Sequence, residues 1–491
     1  MAADAESTTS RRSFLSVIAS AYILNSAGRV ADVVWLLLLF TALSVEQVAV
    51  FALASAVAAF FSMALDAGLN QTLLREFSAA RVTIVRGATI AISVRAVALA
   101  LAIVAGGLWV AVAKPEHESI AAVVVACAVQ LWVLLEQFCQ QWMKANDRQT
   151  LANTLAALEP FLKLGATAVL MTASEPVTAV EFFVAQNVYH CLLALACVIA
   201  CARTQPHLQA ATAEPLRKIL GASSWFALMG LITVAQNRVD WLLVAKFASA
   251  PMVASYTLVN RAYEVLMLLI GTGAMTLFPW LCRDSGGRGG GASSSFGKAV
   301  LAGGVLSAGL AALVLPAFCA FVWKDKYVGA DALLSGLMPI ACVSTFIQLM
   351  YYQAIAGRAE ARVVAIGAVA TCIQIAANLL LVPRYGAIGA VWGMLVLAVA
   401  NVALYWQQRA KLSLSASPDL FRLGGYAAIN GLMWFAIAAA GSNVWLQFGV
   451  GLSIWAALTY CWLLSTPERT ALAAAIGSMR TRLAAAGASS R

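Results

Sequence analysis

Ten ionisable residues lie within long apolar stretches of the chain, where a charge surrounded by hydrocarbon is energetically costly. The basic ones are Arg29, Arg95, Lys163, Arg238 and Arg261, and the acidic ones are Asp32, Glu136, Glu159, Asp240 and Glu264. Such groups pair with one another, or they line a water-filled path that lets polar solutes cross a membrane. The sequence therefore indicates a polar path through an apolar bundle.

The spacing of these charges leaves two interpretations open. Residues three or four apart meet on one helix face, which applies to Arg29 with Asp32, Arg261 with Glu264, and Glu159 with Lys163. In the first interpretation each pair only ties the bundle together. In the second the pairs belong to the wall of a water-accessible cavity, which a polar stripe from Thr233 to Asp240 would extend. We favour the second, because a purely structural bundle has little use for ten intramembrane charges.

The elements that carry these charges are predicted to be membrane-spanning helices. Hydrophobic residues make up 62% of the 491 and charged residues 11%, against about 25% charged in an ordinary soluble domain. Apolar stretches of about 20 residues, the length that crosses a bilayer, recur along the chain. We predict fourteen spans, near residues 14–41, 47–66, 86–112, 119–142, 151–172, 178–202, 219–245, 252–281, 298–323, 329–353, 362–383, 387–408, 422–441 and 444–464.

Lys and Arg distribute unevenly between the two ends of these spans. If the N-terminus is cytoplasmic, 22 of them fall on the cytoplasmic side and 5 on the outer side. Cytoplasmic loops are enriched in basic residues, so we predict a multi-pass protein of the inner (plasma) membrane with both termini inside. The net charge of +10 is thereby explained by orientation, and we expect no nucleic-acid partner.

The chain also contains an internal repeat. A charged helix start, an apolar run and a long helix ending in a basic residue occupy residues 25–75, and the same order recurs over residues 237–283. We therefore predict an all-α fold with two pseudo-symmetric six-helix lobes followed by two additional helices. The predicted segments are an N-terminal lobe (1–202), a cytoplasmic joint (203–218), a C-terminal lobe (219–408), two further transmembrane helices (409–464) and a cytoplasmic tail (465–491).

Several short motifs resemble one transporter family. They are Leu65-Asp66-Ala67-Gly68-Leu69, Asn237-Arg238-Val239-Asp240-Trp241, Phe278-Pro279-Trp280-Leu281 and Pro383-Arg384-Tyr385-Gly386-Ala387. In order and spacing the sequence is similar to the oligosaccharide-lipid flippases of the polysaccharide transporter group, within the multidrug/oligosaccharidyl-lipid/polysaccharide exporter superfamily. The resemblance implies two lobes around an alternating-access cavity that moves an undecaprenyl-pyrophosphate-linked oligosaccharide to the outer leaflet, for surface polysaccharide, exopolysaccharide or O-antigen synthesis.

A diphosphate and its sugars cannot cross hydrocarbon unless polar groups replace their water. The planar guanidinium of arginine donates two hydrogen bonds to phosphate oxygens and keeps its charge at any working pH. The predicted substrate-binding residues are therefore Arg29, Arg95, Arg238, Arg261 and, more weakly, Lys163. The acids form ion pairs, or bind a proton or sodium ion that drives turnover, with Asp32, Asp240 and Glu264 as candidates. One departure concerns charge, because acids nearly balance bases where a pyrophosphate cavity should be cationic.

Two alternative functions stay open at this stage. A cation-coupled drug or small-molecule antiporter of the same superfamily would share the architecture but would favour an acidic cavity. A membrane-embedded polysaccharide polymerase or ligase would need an outer catalytic loop, whereas the outer loops are short and no nucleophile and base surround His117, His190 or His207. We therefore expect no enzyme activity, no catalytic residues, no metal and no bound cofactor. The expected partners are the lipid-linked oligosaccharide, membrane lipid, and a polymerase with its export machinery.

Overall fold

The computed structural model describes residues 28, 31–66, 68–78, 82–113, 117–146, 148–173, 176–204, 216–285, 292–356, 359–412, 420–440, 444–465 and 468–470. Within these ranges the chain is almost entirely helical, and its one β-type contact is an isolated bridge between Leu43 and Val177. The helices are α1 (Ala31–Ala42), α2 (Val45–Asp66), α3 (Leu69–Ser78), α4 (Ile84–Ala113), α5 (His117–Ala145), α6 (Gln149–Ala173), α7 (Ala179–Ala202), α8 (Leu216–Phe247), α9 (Ala250–Ser285), α10 (Ala292–Trp323), α11 (Ala330–Ala356), α12 (Glu360–Tyr385), α13 (Ala387–Gln408), α14 (Leu420–Ala439) and α15 (Val444–Leu458).

The predicted all-α polytopic fold is confirmed. Each predicted span from 47–66 onward coincides with one of these helices, whereas the span 14–41 lies partly outside the described residues and meets α1 only at its end. Among the described residues nine helices are long and apolar enough to cross a membrane. Large apolar side chains such as Val124 and Leu380 are exposed on helix surfaces, as expected where lipid takes the place of water.

Helix α3 was not predicted as a separate element. Gly68 has a φ of 71°, a left-handed conformation that glycine adopts at little cost and that commonly ends a helix. The chain therefore turns after α2. Leu69, Leu73 and Phe77 of α3 are buried in a core that includes Trp142 of α5.

The chain divides into two compact units, Met1–Thr257 and Leu258–Arg491. In the first unit α5 packs against α2, α3, α6 and α7, and α8 packs against α2 and α3. Because α8 belongs to this unit by its contacts, the division between units falls within α9 rather than in the predicted joint. Residues 205–215 of that joint lie outside the described residues, and the two-lobe division by repeat stays a prediction.

In the second unit, a buried tryptophan connects three helices. Trp434 of α14 is fully buried, and its ring lies directly against Gly309 of α10 and Gly451 of α15. A Cβ atom added at either glycine would overlap the ring. Helices α10, α14 and α15 thus pack closely, because the two glycines leave room for the Trp434 ring.

We expect Gly451→Ala to destabilise the protein by about 1–3 kcal/mol, the usual cost of overpacking a filled core. Thermal unfolding of the purified protein in detergent would show this as a lowered melting temperature. Gly449→Ala, on the same helix, is the matched control because its Cβ would meet nothing within 4 Å. Equal melting temperatures for the two variants would contradict the packing role of Gly451.

Candidate functional site: charged side chains within the helices

An ion pair joins α1 to α6 in the first unit. The Nζ atom of Lys163 lies 2.9 Å from Oδ1 of Asp32, and both side chains are partly exposed. The ammonium group also lies 3.5 Å from the centroid of the Trp35 ring, and the indole Nε1 donates to Oγ1 of Thr167. Lys163 therefore pairs across helices with Asp32 rather than along α6 with Glu159, and the expectation of a Glu159–Lys163 pair was wrong.

A second pair, which the sequence interpretation missed, joins α5 to α7. The Nδ1 atom of His190 lies 2.9 Å from Oε1 of Glu136, and each side chain is only 5% exposed. Glu159 of α6 interacts electrostatically with Glu136, and Tyr189 interacts with Asp32, Glu136 and Glu159. The intramembrane charges of α1, α5, α6 and α7 thus form one connected group.

Arg95 of α4 is bound at the corner between α2 and α3. Its NH2 atom lies 3.6 Å from Oδ1 of Asp66 and donates to Oδ1 of Asn70 at 3.0 Å, while NH1 donates to the carbonyl oxygen of Leu134. Asn70 in turn donates to Gln137 of α5. The network stabilises the helix break at Gly68, and a role of Arg95 in substrate binding stays a prediction.

On α8, Arg238 and Asp240 have different surroundings. The Arg238 guanidinium is partly exposed and stacks on the Trp241 ring, with Cζ 4.7 Å from the centroid. Asp240 is 1% exposed and accepts hydrogen bonds from the hydroxyl of Tyr256 and the backbone N–H of Trp241. Asp240 is therefore hydrogen-bonded within its own unit, whereas the guanidinium of Arg238 lies over an aromatic ring.

In the second unit, Arg261 and Glu264 form the predicted i,i+3 pair on α9. The NH1 atom of Arg261 lies 2.9 Å from Oε2 of Glu264, and the side chains are 21% and 22% exposed. On the buried side of α9, the hydroxyl of Tyr263 meets Oγ of Ser344 at 2.9 Å. Arg29, the remaining candidate, lies outside the described residues.

Chemically, the guanidinium and ammonium groups can bind anions, and the carboxyl and imidazole groups can exchange protons. Three of the basic residues each form an ion pair with a carboxylate: Arg95, Lys163 and Arg261. This pairing explains why acids nearly balance bases in the sequence. Among the described residues no three His, Cys, Asp or Glu side chains are grouped so as to hold a metal ion.

Solved structures of membrane transporters share this fold. The lipid II flippase MurJ in an inward closed conformation is 11% identical, with 89% of this chain and 97% of that chain covered and a TM-score of 0.67. A multidrug resistance MATE transporter in its inward-facing conformation is 12% identical, with 80% and 98% covered and a TM-score of 0.60. A transporter of the MOP superfamily from Pyrococcus furiosus is 12% identical, with 82% and 94% covered and a TM-score of 0.51.

The fold and the internal charges define the class: a polytopic helical membrane protein with the fold of MOP-superfamily transporters and flippases. The family model described as polysaccharide biosynthesis protein matches residues 15–283, more than half of the sequence. The chain belongs to this polysaccharide biosynthesis protein family, and the resemblance inferred from its motifs is confirmed. No curated protein matches it.

Proposed function

We propose that the protein is a flippase that moves undecaprenyl-pyrophosphate-linked oligosaccharide units across the inner membrane by alternating access, for synthesis of a surface polysaccharide. The observation that carries the proposal is the combination of a polysaccharide biosynthesis family with a fold similar to a lipid II flippase. The arginines within the helices support it chemically, because guanidinium groups bind phosphate oxygens through two parallel hydrogen bonds.

The polyprenyl tail of such a substrate can stay in lipid, and only its head group needs a polar environment. Arg238 fits this requirement, because the residue is partly exposed and its guanidinium lies over the Trp241 ring. A guanidinium that contacts an aromatic ring through its face can bind a phosphate through its edge. The transport function requires no catalytic residues, and the proposed partners are the lipid-linked unit, membrane lipid, and the polymerase that uses the flipped unit.

A cation-coupled drug antiporter is the second candidate. The observation that favours it is the group of three acids in the first unit, Asp32, Glu136 and Glu159, since a cationic drug requires a negatively charged cavity. The paired state of Asp32 with Lys163 weakens this candidate because part of that negative charge is already neutralised.

Deletion of the gene distinguishes a flippase from a drug antiporter. We expect the deletion strain to lose surface polysaccharide and to accumulate lipid-linked oligosaccharide that is accessible only in the cytoplasmic leaflet. A plasmid copy of the gene restoring both traits is the control. Unchanged polysaccharide together with increased sensitivity to cationic drugs would instead establish the antiporter.

The orientation proposed for the protein has both termini, residues 203–218 and residues 286–295 in the cytoplasm, with residues 114–119 and 324–331 outside. Alkaline phosphatase fused at each position should be active only at the two outer segments, because it folds only in an oxidising compartment. Activity from a fusion at 203–218 would contradict the span count on which the orientation depends.

A further inference from the structure

The Glu136–His190 pair is the most deeply buried ion pair among the described intramembrane charges. Each side chain is 5% exposed and the two atoms are 2.9 Å apart. The pairs Asp32–Lys163, Asp66–Arg95 and Arg261–Glu264 are partly exposed, and each joins a carboxylate to a lysine or an arginine. Only histidine changes its charge in the ordinary physiological range. The Glu136–His190 pair can therefore exchange a proton where the others cannot.

The titratable groups that interact with this pair lie on α5, α6 and α7. Glu159 of α6 interacts with Glu136, and Tyr189 of α7 interacts with Glu136, Glu159 and Asp32. Cys139 of α5 and Cys197 of α7 also interact with Glu136. Helix α2 has charged residues only at its ends, Glu46 and Asp66, and α3 has Arg75 and Glu76. Besides His190, the charged group that acts on Glu136 is thus a second carboxylate, that of Glu159.

The number of protons bound by Glu136 and His190 determines the net charge of the pair, and therefore the free-energy cost of burying it. With one proton on Nδ1 of His190 and an ionised Glu136, the pair carries one negative charge beside Glu159. A second proton, taken up on Nε2 of His190, makes an imidazolium–carboxylate pair with no net charge. Burial of an uncompensated charge costs several kcal/mol, so the neutral pair is favoured when the site is closed and release of the proton requires water.

We propose that Glu136 and His190 form a proton-binding site that takes up one proton from water and releases it during the transport cycle. Glu159 is partly exposed and faces Glu136, so it provides the route by which the proton arrives. The use of the proton to drive turnover rests on the proposed flippase function, whereas proton binding itself does not. The site selects a proton over sodium, because imidazole is a ligand for protons and transition metals rather than for hard alkali cations.

Nitrogen NMR of the full-length protein in lipid nanodiscs tests proton binding without any transport. The chain has three histidines, so His117→Asn with His207→Asn leaves His190 as the sole labelled imidazole. We expect its signal to change protonation state between about pH 5 and 8. In Glu136→Gln the pH dependence of this signal should differ from that of the parent protein, because the carboxylate that contacts Nδ1 is lost.

Glu118→Gln is the matched control, because Glu118 lies on the same helix and is bonded to Gln47 at its outer end. It should leave the titration unchanged, as should replacement of potassium by sodium. A His190 signal that stays in one state across the range, or that titrates identically in Glu136→Gln, overturns the proposal. A midpoint that follows the sodium concentration overturns it as well.

Transport is measured separately in proteoliposomes with a fluorescent undecaprenyl-pyrophosphate-linked disaccharide as the probe. We expect a gradient of one pH unit to change the flipping rate of the parent protein about tenfold and that of His190→Asn by less than twofold, since one pH unit is a tenfold ratio of proton activity, or about 1.4 kcal/mol per proton. Absence of flipping under every condition contradicts the proposed function, and the NMR titration still decides whether the proton site exists. Flipping that responds equally to the gradient in both proteins overturns the coupling role.

Discussion

Replacement of Arg238 by alanine is expected to reduce export of the polysaccharide by about a hundredfold or more while the protein stays in the membrane. Two charge-assisted hydrogen bonds to a pyrophosphate contribute about 1.5–3 kcal/mol each, and about 1.4 kcal/mol corresponds to a tenfold change. Lysine at the same position should restore only part of the export, because it keeps the charge but cannot form two parallel bonds. Lipid-linked units should accumulate in the cytoplasmic leaflet of both strains.

Comparing the alanine and lysine variants of Arg238 distinguishes loss of phosphate recognition from loss of protein stability. Arg238 stacks on Trp241, and a lysine ammonium can still lie on that aromatic face. The lysine variant should therefore be present at the normal level, which an immunoblot of membranes measures. Arg148→Ala is the matched control, because Arg148 is exposed in the short segment between α5 and α6. Full export by Arg238→Ala at normal protein level would exclude Arg238 from the substrate path.

The choice of Arg238 follows from what the other basic residues contact. Arg95 is occupied with Asp66 and Asn70 at a helix corner, and Lys163 is held between Asp32 and Trp35. A guanidinium that binds a carboxylate of its own unit must exchange that partner before it can bind a phosphate. Arg238 stacks on the Trp241 ring, and a phosphate can bind the edge of a guanidinium without displacing such an aromatic contact.

The positions of the helices could be predicted from sequence because each span is a long apolar stretch between polar ends. The break between α2 and α3 could not, because it depends on one left-handed residue, Gly68, inside a continuous pattern. The Arg261–Glu264 pair was predictable because both residues lie one helical turn apart. The pairs Asp32–Lys163 and Glu136–His190 connect residues 131 and 54 positions apart.

Sequence spacing determines which residues share a face of one helix, and it carries no information on which faces of two helices meet. This explains why Lys163 was assigned to Glu159 on its own helix, although a carboxylate on α1 lies closer. It also explains why His190 was noted without a partner. The missing information is the rotation of each helix about its axis, which follows from packing against neighbours rather than from hydropathy.

The remaining prediction concerns Arg261, whose pairing with Glu264 permits both a structural and a functional role. Replacing both residues together, Arg261→Gln with Glu264→Gln, removes one positive and one negative charge at once and leaves the net charge unchanged. Such a neutral replacement commonly preserves stability, so we expect a normal protein level. If Arg261 binds the pyrophosphate, export should nevertheless fall about tenfold or more, since at least one charge-assisted hydrogen bond is lost.

The single variant Glu264→Gln makes this test decisive. It leaves the guanidinium of Arg261 in place and removes its carboxylate partner, so a substrate-binding arginine should still support export, measured at matched protein level. A structural tie predicts the reverse order, because loss of one partner leaves a charge uncompensated and is more damaging than loss of both. Normal export by the double variant, together with reduced export by Glu264→Gln, would show that the pair only holds α9 in its conformation, since the neutral pair then supplies everything that transport requires.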